Sequence, residues 1–167
     1  MTSGDFPLAY FLTWTTYATW LPGDERGWVK KGTWSVQAPD PTWVDTAERA
    51  VTESPVILTL PQRKIVDDVL VKHCQMRRWH LHARNVRTNH VHAVVTAAID
   101  GEIVRSQLKA WSSRRLSEHA GLSGQGKNGQ KRWWTEGGDI EWVRDDEHLY
   151  NVIRYVAELQ DHLRDYQ

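Results

Sequence analysis

Residues 79–98 read WHLHARNVRTNHVHAVVTAA and decide the predicted fold, because polar and apolar residues alternate in them on both sides of a short polar turn. An alternation with a period of two is typical of a strand that buries one face. The pattern predicts one strand over residues 79–86 and a second over 90–98, joined by a turn near residues 87–89. Two consecutive strands with so short a connection pair antiparallel.

The segments on either side of this hairpin supply the remaining elements. Aromatic and β-branched residues predict a strand upstream, Leu60-Pro61 predicts the start of a helix, and an aspartate predicts the cap of the last helix. The predicted elements outside the hairpin are a strand over 8–20, a helix over 60–78, a helix over 101–119, a strand within 131–143 and a helix from Asp145 or Asp146 to about residue 164. The order of strands and helices predicts an α+β fold, an antiparallel sheet backed by helices.

The composition is that of a single globular domain over residues 1–167. Hydrophobic residues make up 40% of the chain and charged residues 25%, which is enough to bury a core. No stretch reaches the roughly 18 consecutive apolar residues of a membrane span. No basic region precedes the first apolar run, so we expect a cytoplasmic protein without a signal peptide. With Cys74 as the single cysteine, an internal disulfide and a cysteine zinc cluster are excluded.

Residues 28–60 differ from the rest of the chain, because they lack a clear period and contain several prolines. We interpret them as an irregular surface insertion in the domain, with a short helix at 45–52.

Basic residues are concentrated in the middle of the chain, although the formal net charge is zero. A zero net charge does not by itself indicate a nucleic-acid binder, and a basic run is as compatible with a solvated surface as with phosphate binding. The residues predicted to contact phosphate groups are Arg84, Arg87, Lys109, Arg114 and Arg115.

His90 and His92 lie two positions apart in the second predicted strand, so their side chains point to the same face. Two neutral imidazoles side by side form half of a site for a divalent cation. As a buried pair without a metal, each ring would need its own hydrogen-bond partner. The preceding strand carries a second pair, His80 and His82, of which we expect at least one to pack or to support the metal site.

A metal site that cuts a phosphodiester also needs a nucleophile. The cation polarises phosphoryl oxygens and orients the leaving group, while a side chain or water attacks. A tyrosine has an unperturbed pKa of about 10 and is helped to ionise by a nearby cation. Tyr155, in the last predicted helix, is the candidate nucleophile, with Tyr150 and Tyr166 as competitors.

Five segments in a fixed order carry a family resemblance. They are 12–24 LTWTTYATWLPGD, 85–95 NVRTNHVHAVV, the helix with Lys109-Ala110-Trp111 and Arg114-Arg115-Leu116, 133–138 WWTEGG, and 153–156 IRYV. Together they resemble the IS200-like transposases, and within them the REP-associated tyrosine transposases, which are single-strand DNA endonucleases with a His-hydrophobe-His motif. The resemblance spans nearly the whole chain outside residues 28–60.

This resemblance implies a ferredoxin-like fold in which the sheet carries His90 and His92 and a late helix presents Tyr155. It implies Mg²⁺ or Mn²⁺ as cofactor, a single-stranded DNA hairpin as substrate, and a 5′-phosphotyrosine intermediate with a free 3′-hydroxyl. Relatives act as monomers or as homodimers that exchange the tyrosine helix. The family usually places a Gln or Asn ligand four residues after the tyrosine, where this chain has Leu159. Gln160 is therefore our predicted third ligand, with Glu158 as the alternative.

Two other functions use similar histidine-bearing strands. Nucleotide hydrolases of the histidine-triad class need a third histidine two residues further along the strand, and here that position is Val94. A non-catalytic module derived from the same family, which grips DNA hairpins without cutting them, remains the alternative because of Leu159.

Overall fold

The computed structural model describes residues 6–18, 28–29, 36–37, 55–122 and 132–159. The elements in chain order are strand β1 (Ala9–Thr15), the short strands β2 (Trp28–Val29) and β3 (Val36–Gln37), helix α1 (Leu60–Arg77), strand β4 (His80–Val86), strand β5 (His90–Thr96), helix α2 (Gly101–His119), strand β6 (Asp139–Val143), helix α3 (Asp146–Arg154) and a π-helical turn (Tyr155–Leu159).

The main sheet has four antiparallel strands in the order β4-β5-β1-β6. With α1 between β1 and β4, and α2 between β5 and β6, the chain follows the β-α-β-β-α-β path of ferredoxin-like domains. The predicted α+β fold with a helix-backed antiparallel sheet is confirmed. Strands β2 and β3 pair only with each other within the part described, so the segment interpreted as irregular contains a short hairpin.

One face of the sheet packs against α1 and α2 and forms the larger core. Tyr10, Leu12 and Trp14 of β1 and Val91 and Val95 of β5 are fully buried there. They pack with apolar residues of the two helices, which are Val66, Leu70, Cys74, Val104, Leu108 and Leu116. Because side chains alternate along a strand, the residues between these face the opposite side of the sheet.

The opposite face carries α3 and the π-helical turn over a smaller apolar cluster. Val94 of β5 and Val143 of β6 are fully buried in it, and Val152 and Val156 cover them from the last helix. This second face is where His90 and His92 lie.

Local sequence explains where the helices begin. Thr59 accepts a hydrogen bond from the backbone of Gln62, whose side chain accepts one from the backbone of Thr59, and Pro61 occupies the first turn. The carboxylate of Asp100 caps α2, and that of Asp145 caps α3.

The first strand is shorter than the sequence pattern predicted. β1 ends at Thr15 instead of residue 20, because Thr16 makes only an isolated bridge to Trp134 and Ala18 adopts a φ of 61°. A positive φ at a non-glycine residue marks a turn and not a strand. Residues 19 and 20 lie outside the described ranges.

The last strand lies within the predicted range 131–143. β6 begins at Asp139, directly after Gly137 and Gly138, both of positive φ. The last helix is α-helical to Arg154 and then widens into the π-helical turn. Its predicted continuation to about residue 164, and the predicted helix at 45–52, fall outside the described residues. None of the helices within the described ranges is long and apolar enough to cross a lipid bilayer.

Gly138 is the position at which the fold most strictly requires a glycine. Its φ is 135°, and a Cβ there would lie 2.6 Å from the carbonyl oxygen of Thr13. We expect Gly138→Ala to lower the free energy of unfolding by about 2–5 kcal/mol, since backbone strain and overpacking add. Gly137→Ala is the matched control: its φ is 77° but no atom lies within 4 Å of its Cβ, so a loss of about 1–2 kcal/mol is expected. Urea unfolding of the two variants measures the difference, and equal losses would show that the contact with Thr13 does not matter.

Candidate metal and nucleophile site

The histidine pair lies on the α3 side of the central strand β5. In the sheet register His92 is opposite Thr13 of β1 and opposite Asn85 of β4. The rings of His90 and His92 have their centres 4.8 Å apart at an interplanar angle of 75°. The structure therefore places the two rings side by side, as the sequence predicted.

Each histidine of the pair has its Nδ1 atom in a hydrogen bond. Nδ1 of His90 lies 2.7 Å from Oδ1 of Asn89, and Nδ1 of His92 lies 2.9 Å from Oγ1 of Thr13. When Nδ1 carries the proton and donates it to these oxygens, Nε2 of each ring keeps its lone pair for a metal. Metal-binding histidines generally use their second nitrogen in this way, which fixes the orientation of the ring.

His92 is held in its neutral form. Burial, together with the positive charges of His90 and Arg87, lowers the pKa of His92 to about 3. A neutral imidazole is the form that binds a metal ion. Arg87 is itself buried, and its backbone N–H donates to the carbonyl oxygen of His90 at 2.8 Å.

The donor set of this pair fits a divalent cation whose remaining ligands are oxygens. Two neutral imidazoles supply half of a site, and the described residues contain no group of three or more His, Cys, Asp or Glu side chains placed to share one ion. The carboxylate of Glu158, the alternative third ligand, accepts a hydrogen bond from Arg154 at 3.1 Å and is therefore already paired with a protein group. Gln160, the predicted third ligand, lies outside the described residues.

Tyr155 is the tyrosine that the fold brings to the histidines. It is the first residue of the π-helical turn, and its ring centre lies 6.0 Å from that of His92 and 6.1 Å from that of Phe11. The ring is 41% exposed, so substrate can reach it. In the part of the chain that is described, Tyr150 makes no ring contact with either histidine; Tyr166 is outside that part.

Asn85 connects the sheet to the turn that carries Tyr155. Its side-chain amide donates to the carbonyl oxygen of Val156 at 3.3 Å, and Asn85 is opposite His92 in the sheet. The backbone next to the tyrosine is thus tied to the strand next to the histidines. π-helical turns are rare and frequently occur at functional sites. Although Asn85 belongs to the family-like segment, only the register of β4 and the position of the last helix show this contact.

Arg87 is the predicted phosphate contact that lies beside the histidines. Arg84 is on the other face of the sheet, where its guanidinium forms two hydrogen bonds with the carboxylate of Asp67 in α1, at 2.7 and 3.2 Å. Arg114 and Arg115 are exposed near the end of α2 and form ion pairs with Glu118.

Lys109 is largely buried under the segment that precedes β6. Its ammonium group donates to the carbonyl oxygens of Thr135 at 2.7 Å and Gly137 at 2.5 Å. Burial and then the charge of Arg105 lower the pKa of Lys109 to about 8, while the two carbonyl acceptors favour the charged form. In this arrangement Lys109 holds the loop between α2 and β6 in place.

No protein-family model matches the sequence, and no curated protein matches it. Among solved structures, the chain is similar to a REP-associated tyrosine transposase bound to a REP hairpin, with a TM-score of 0.51 and 12% sequence identity. The two share a fold. The alignment covers 90% of this chain and 65% of the transposase chain, so this chain spans less than two thirds of that protein's length.

A second similar structure is named a putative transposase from Deinococcus radiodurans R1. Its TM-score is 0.44 at 15% identity, over 99% of this chain and 95% of that chain. At such low identity the comparisons concern the fold, and the fold is that of the family whose motifs this sequence resembles.

The contact of Asn85 can be tested by local opening of the last helix. We expect Asn85→Ala to speed amide hydrogen exchange in the peptide covering residues 152–159, because the bond that ties Val156 to the sheet is lost. Leaving a buried hydrogen-bonding group without its partner costs about 1–3 kcal/mol, which corresponds to roughly 5-fold to 150-fold in local opening. Asn89→Ala, which removes the bond to His90, is the control and is expected to leave this peptide unchanged. Equal exchange in both variants would contradict the assignment.

Proposed function

We propose that the chain is a metal-dependent single-strand DNA endonuclease and strand transferase of the transposase type, in which Tyr155 is the nucleophile. The observation that carries the proposal is the contact between the rings of Tyr155 and His92, 6.0 Å between centres, on the same face as His90. A tyrosine beside two imidazoles, of which His92 is held neutral by its lowered pKa, suits metal-assisted attack on a phosphodiester.

In the proposed reaction the phenolate oxygen of Tyr155 attacks the phosphorus atom of a DNA phosphodiester. A bond forms between this oxygen and phosphorus, and the bond from phosphorus to the 3′-oxygen breaks. The phenol proton passes to water, and the departing 3′-oxygen takes up a proton from water. The products are a 5′-phosphotyrosine and a free 3′-hydroxyl. Since the phosphotyrosine is still a diester, a second 3′-hydroxyl can displace Tyr155 and rejoin a strand without ATP.

His90 and His92 would hold the metal, Mg²⁺ or Mn²⁺, through their Nε2 atoms. When bound, the cation supplies Lewis-acid stabilisation of the phosphoryl oxygens and favours ionisation of the phenol. Thr13 and Asn89 orient the two imidazoles. The charge of Arg87, already close enough to lower the pKa of His92, is placed to compensate the charge of a phosphate at the pair.

A DNA hairpin is the proposed substrate. The support is the shared fold with a transposase whose structure contains a REP hairpin. The exposed Arg114 and Arg115, together with Arg87, remain proposed phosphate contacts. Arg84, which is paired with Asp67 at the surface, and Lys109, which is bound to two backbone carbonyl oxygens, are the weaker members of the predicted set.

The second candidate function is a non-catalytic hairpin-binding module. It is favoured by one specific feature: the position four residues after Tyr155 is Leu159, and the carboxylate of Glu158 is paired with Arg154. In this alternative the fold binds DNA, but the metal site is too weak to support cleavage.

Replacing the tyrosine hydroxyl separates the two functions. We expect Tyr155→Phe to abolish the covalent adduct with single-stranded hairpin DNA in the presence of Mn²⁺, because the attacking oxygen is gone, while hairpin affinity stays within about twofold. A denaturing gel followed by peptide mapping detects the adduct. Tyr150→Phe is the matched control and should form the adduct like the wild type. An adduct that persists in Tyr155→Phe would assign the nucleophile to another tyrosine, and wild-type binding without any adduct would favour the binding module.

Removing the histidine pair tests the metal. In His90→Ala combined with His92→Ala we expect at least a hundredfold slower adduct formation at saturating Mn²⁺, since loss of an electrostatic stabiliser commonly costs about 10²–10³ in rate. Hairpin binding should persist, because the phosphate contacts remain. Gln160→Ala and Glu158→Ala, assayed over a range of Mn²⁺ concentrations, then identify the third ligand as the one whose loss raises the metal requirement. Full activity of the double histidine variant would contradict the metal site.

A further inference from the structure

The second histidine pair lies toward the other end of β5 from the first. His80 is opposite Thr96, the last residue of β5, whereas His90 is the first residue of that strand, so these two are roughly 20 Å apart along it. The nearest members of the two pairs are His82, which is level with Val94 and Val95, and His92, roughly 7–10 Å away along the strand. His82 bonds to Thr96 and His92 to Thr13, so the two rings have different hydrogen-bond partners.

The rings of His80 and His82 lie side by side, since residues two positions apart in a strand share a face. Their ring centres are 4.3 Å apart, closer than the 4.8 Å between His90 and His92. A β-bulge follows at this point: the register of β4 against β5 shifts between Leu81 and Ala83, so His82 has no partner in the ladder.

The hydrogen bonds around His82 fix its tautomer. The hydroxyl of Thr96 donates its one hydrogen to the carbonyl oxygen of Leu8 at 2.6 Å. The contact of 2.8 Å between Nε2 of His82 and the same hydroxyl oxygen must therefore be a bond in which His82 donates. Nε2 carries the proton, and Nδ1 keeps a lone pair. Histidines that bind a metal usually donate the proton of one ring nitrogen to a neighbouring group in this way, which leaves the other nitrogen for the metal.

His80 completes the pair from the solvent side. It is exposed, and its ring lies against the ring of His82, with the two centres 4.3 Å apart. Its ring can turn to place either nitrogen beside Nδ1 of His82. Two imidazole nitrogens favour Zn²⁺, Ni²⁺ or Cu²⁺, whereas Mg²⁺ prefers oxygen ligands.

We propose that His80 and His82 form a second metal site, on the edge strand β4, that takes a transition-metal dication such as Zn²⁺ with water in its remaining positions. The site is separate from the pair beside Tyr155 and does not rest on the function proposed for that pair. Two stacked imidazoles without metal affinity are the competing explanation of the same geometry.

Zinc titration of variants tests this proposal. In the His90→Ala, His92→Ala background, isothermal titration with Zn²⁺ in the presence of excess Mg²⁺ should show one binding event. Adding His80→Ala should weaken that event at least tenfold, because one of two protein ligands is lost. Adding Thr96→Val instead should weaken it less, because both histidines remain and only the hydrogen bond that fixes the tautomer of His82 is lost. His148→Ala, which alters another partly exposed histidine, one that is paired with Glu141, is the matched control and should leave the binding event unchanged.

Three results would overturn the proposal. The first is no zinc binding in the His90→Ala, His92→Ala background while circular dichroism shows an intact fold. The second is zinc binding that His80→Ala does not weaken. The third is loss of Mn²⁺-dependent DNA adduct in His80→Ala alone, which would place this histidine in the function proposed for Tyr155. A wild-type level of adduct in His80→Ala supports a separate site.

Discussion

The register of β5 between β1 and β4 is the constraint on which the rest of the structure depends. It places Val91 and Val95 in the core with α1 and α2, and it places His90 and His92 on the other face. A shift of one residue would exchange the two sets, burying imidazoles among apolar side chains and exposing valines. The large apolar area under α1 and α2 therefore specifies the orientation of the histidines, although none of those helices touches the site.

The two faces of the sheet bury different numbers of apolar side chains, and this difference fits the proposed chemistry. The face with two long helices buries most of the apolar side chains, whereas the face with α3 buries a small cluster around Val94 and Val143. An element held by few apolar contacts opens locally at lower cost. Tyr155, the proposed nucleophile, is carried on such an element, with Asn85 as its polar connection to the sheet, whereas the histidines lie on the central strand β5.

The basic residues have different partners in this fold, according to the element and the side of the sheet on which they lie. Arg84 neutralises Asp67 between β4 and α1, and Lys109 binds the carbonyl oxygens of the loop before β6. Arg87, three residues after Arg84, is buried beside His92 and lowers its pKa. The sequence pattern predicted that all of them contact phosphate groups, because a basic residue that binds phosphate and one that pairs with a group of the protein look alike in the sequence. Long side chains at a strand end and on a helix reach partners that only the packed fold supplies.

The sequence by itself determined the order of elements and the pairing of the two imidazoles. Alternation in 90–93 sets His90 and His92 on one face and Val91 on the other, and the Asp and Thr caps fix the starts of the helices. The resemblance of the sequence to a family also indicated Tyr155 as the candidate nucleophile. Tertiary structure alone decided that Thr13 of β1 binds His92, that Asn85 holds the turn after Tyr155, and that His82 bonds to Thr96 beside the bulge in β4. The reason is physical: these contacts join residues far apart in the chain or depend on a break in the ladder, and a periodic pattern carries no information about either.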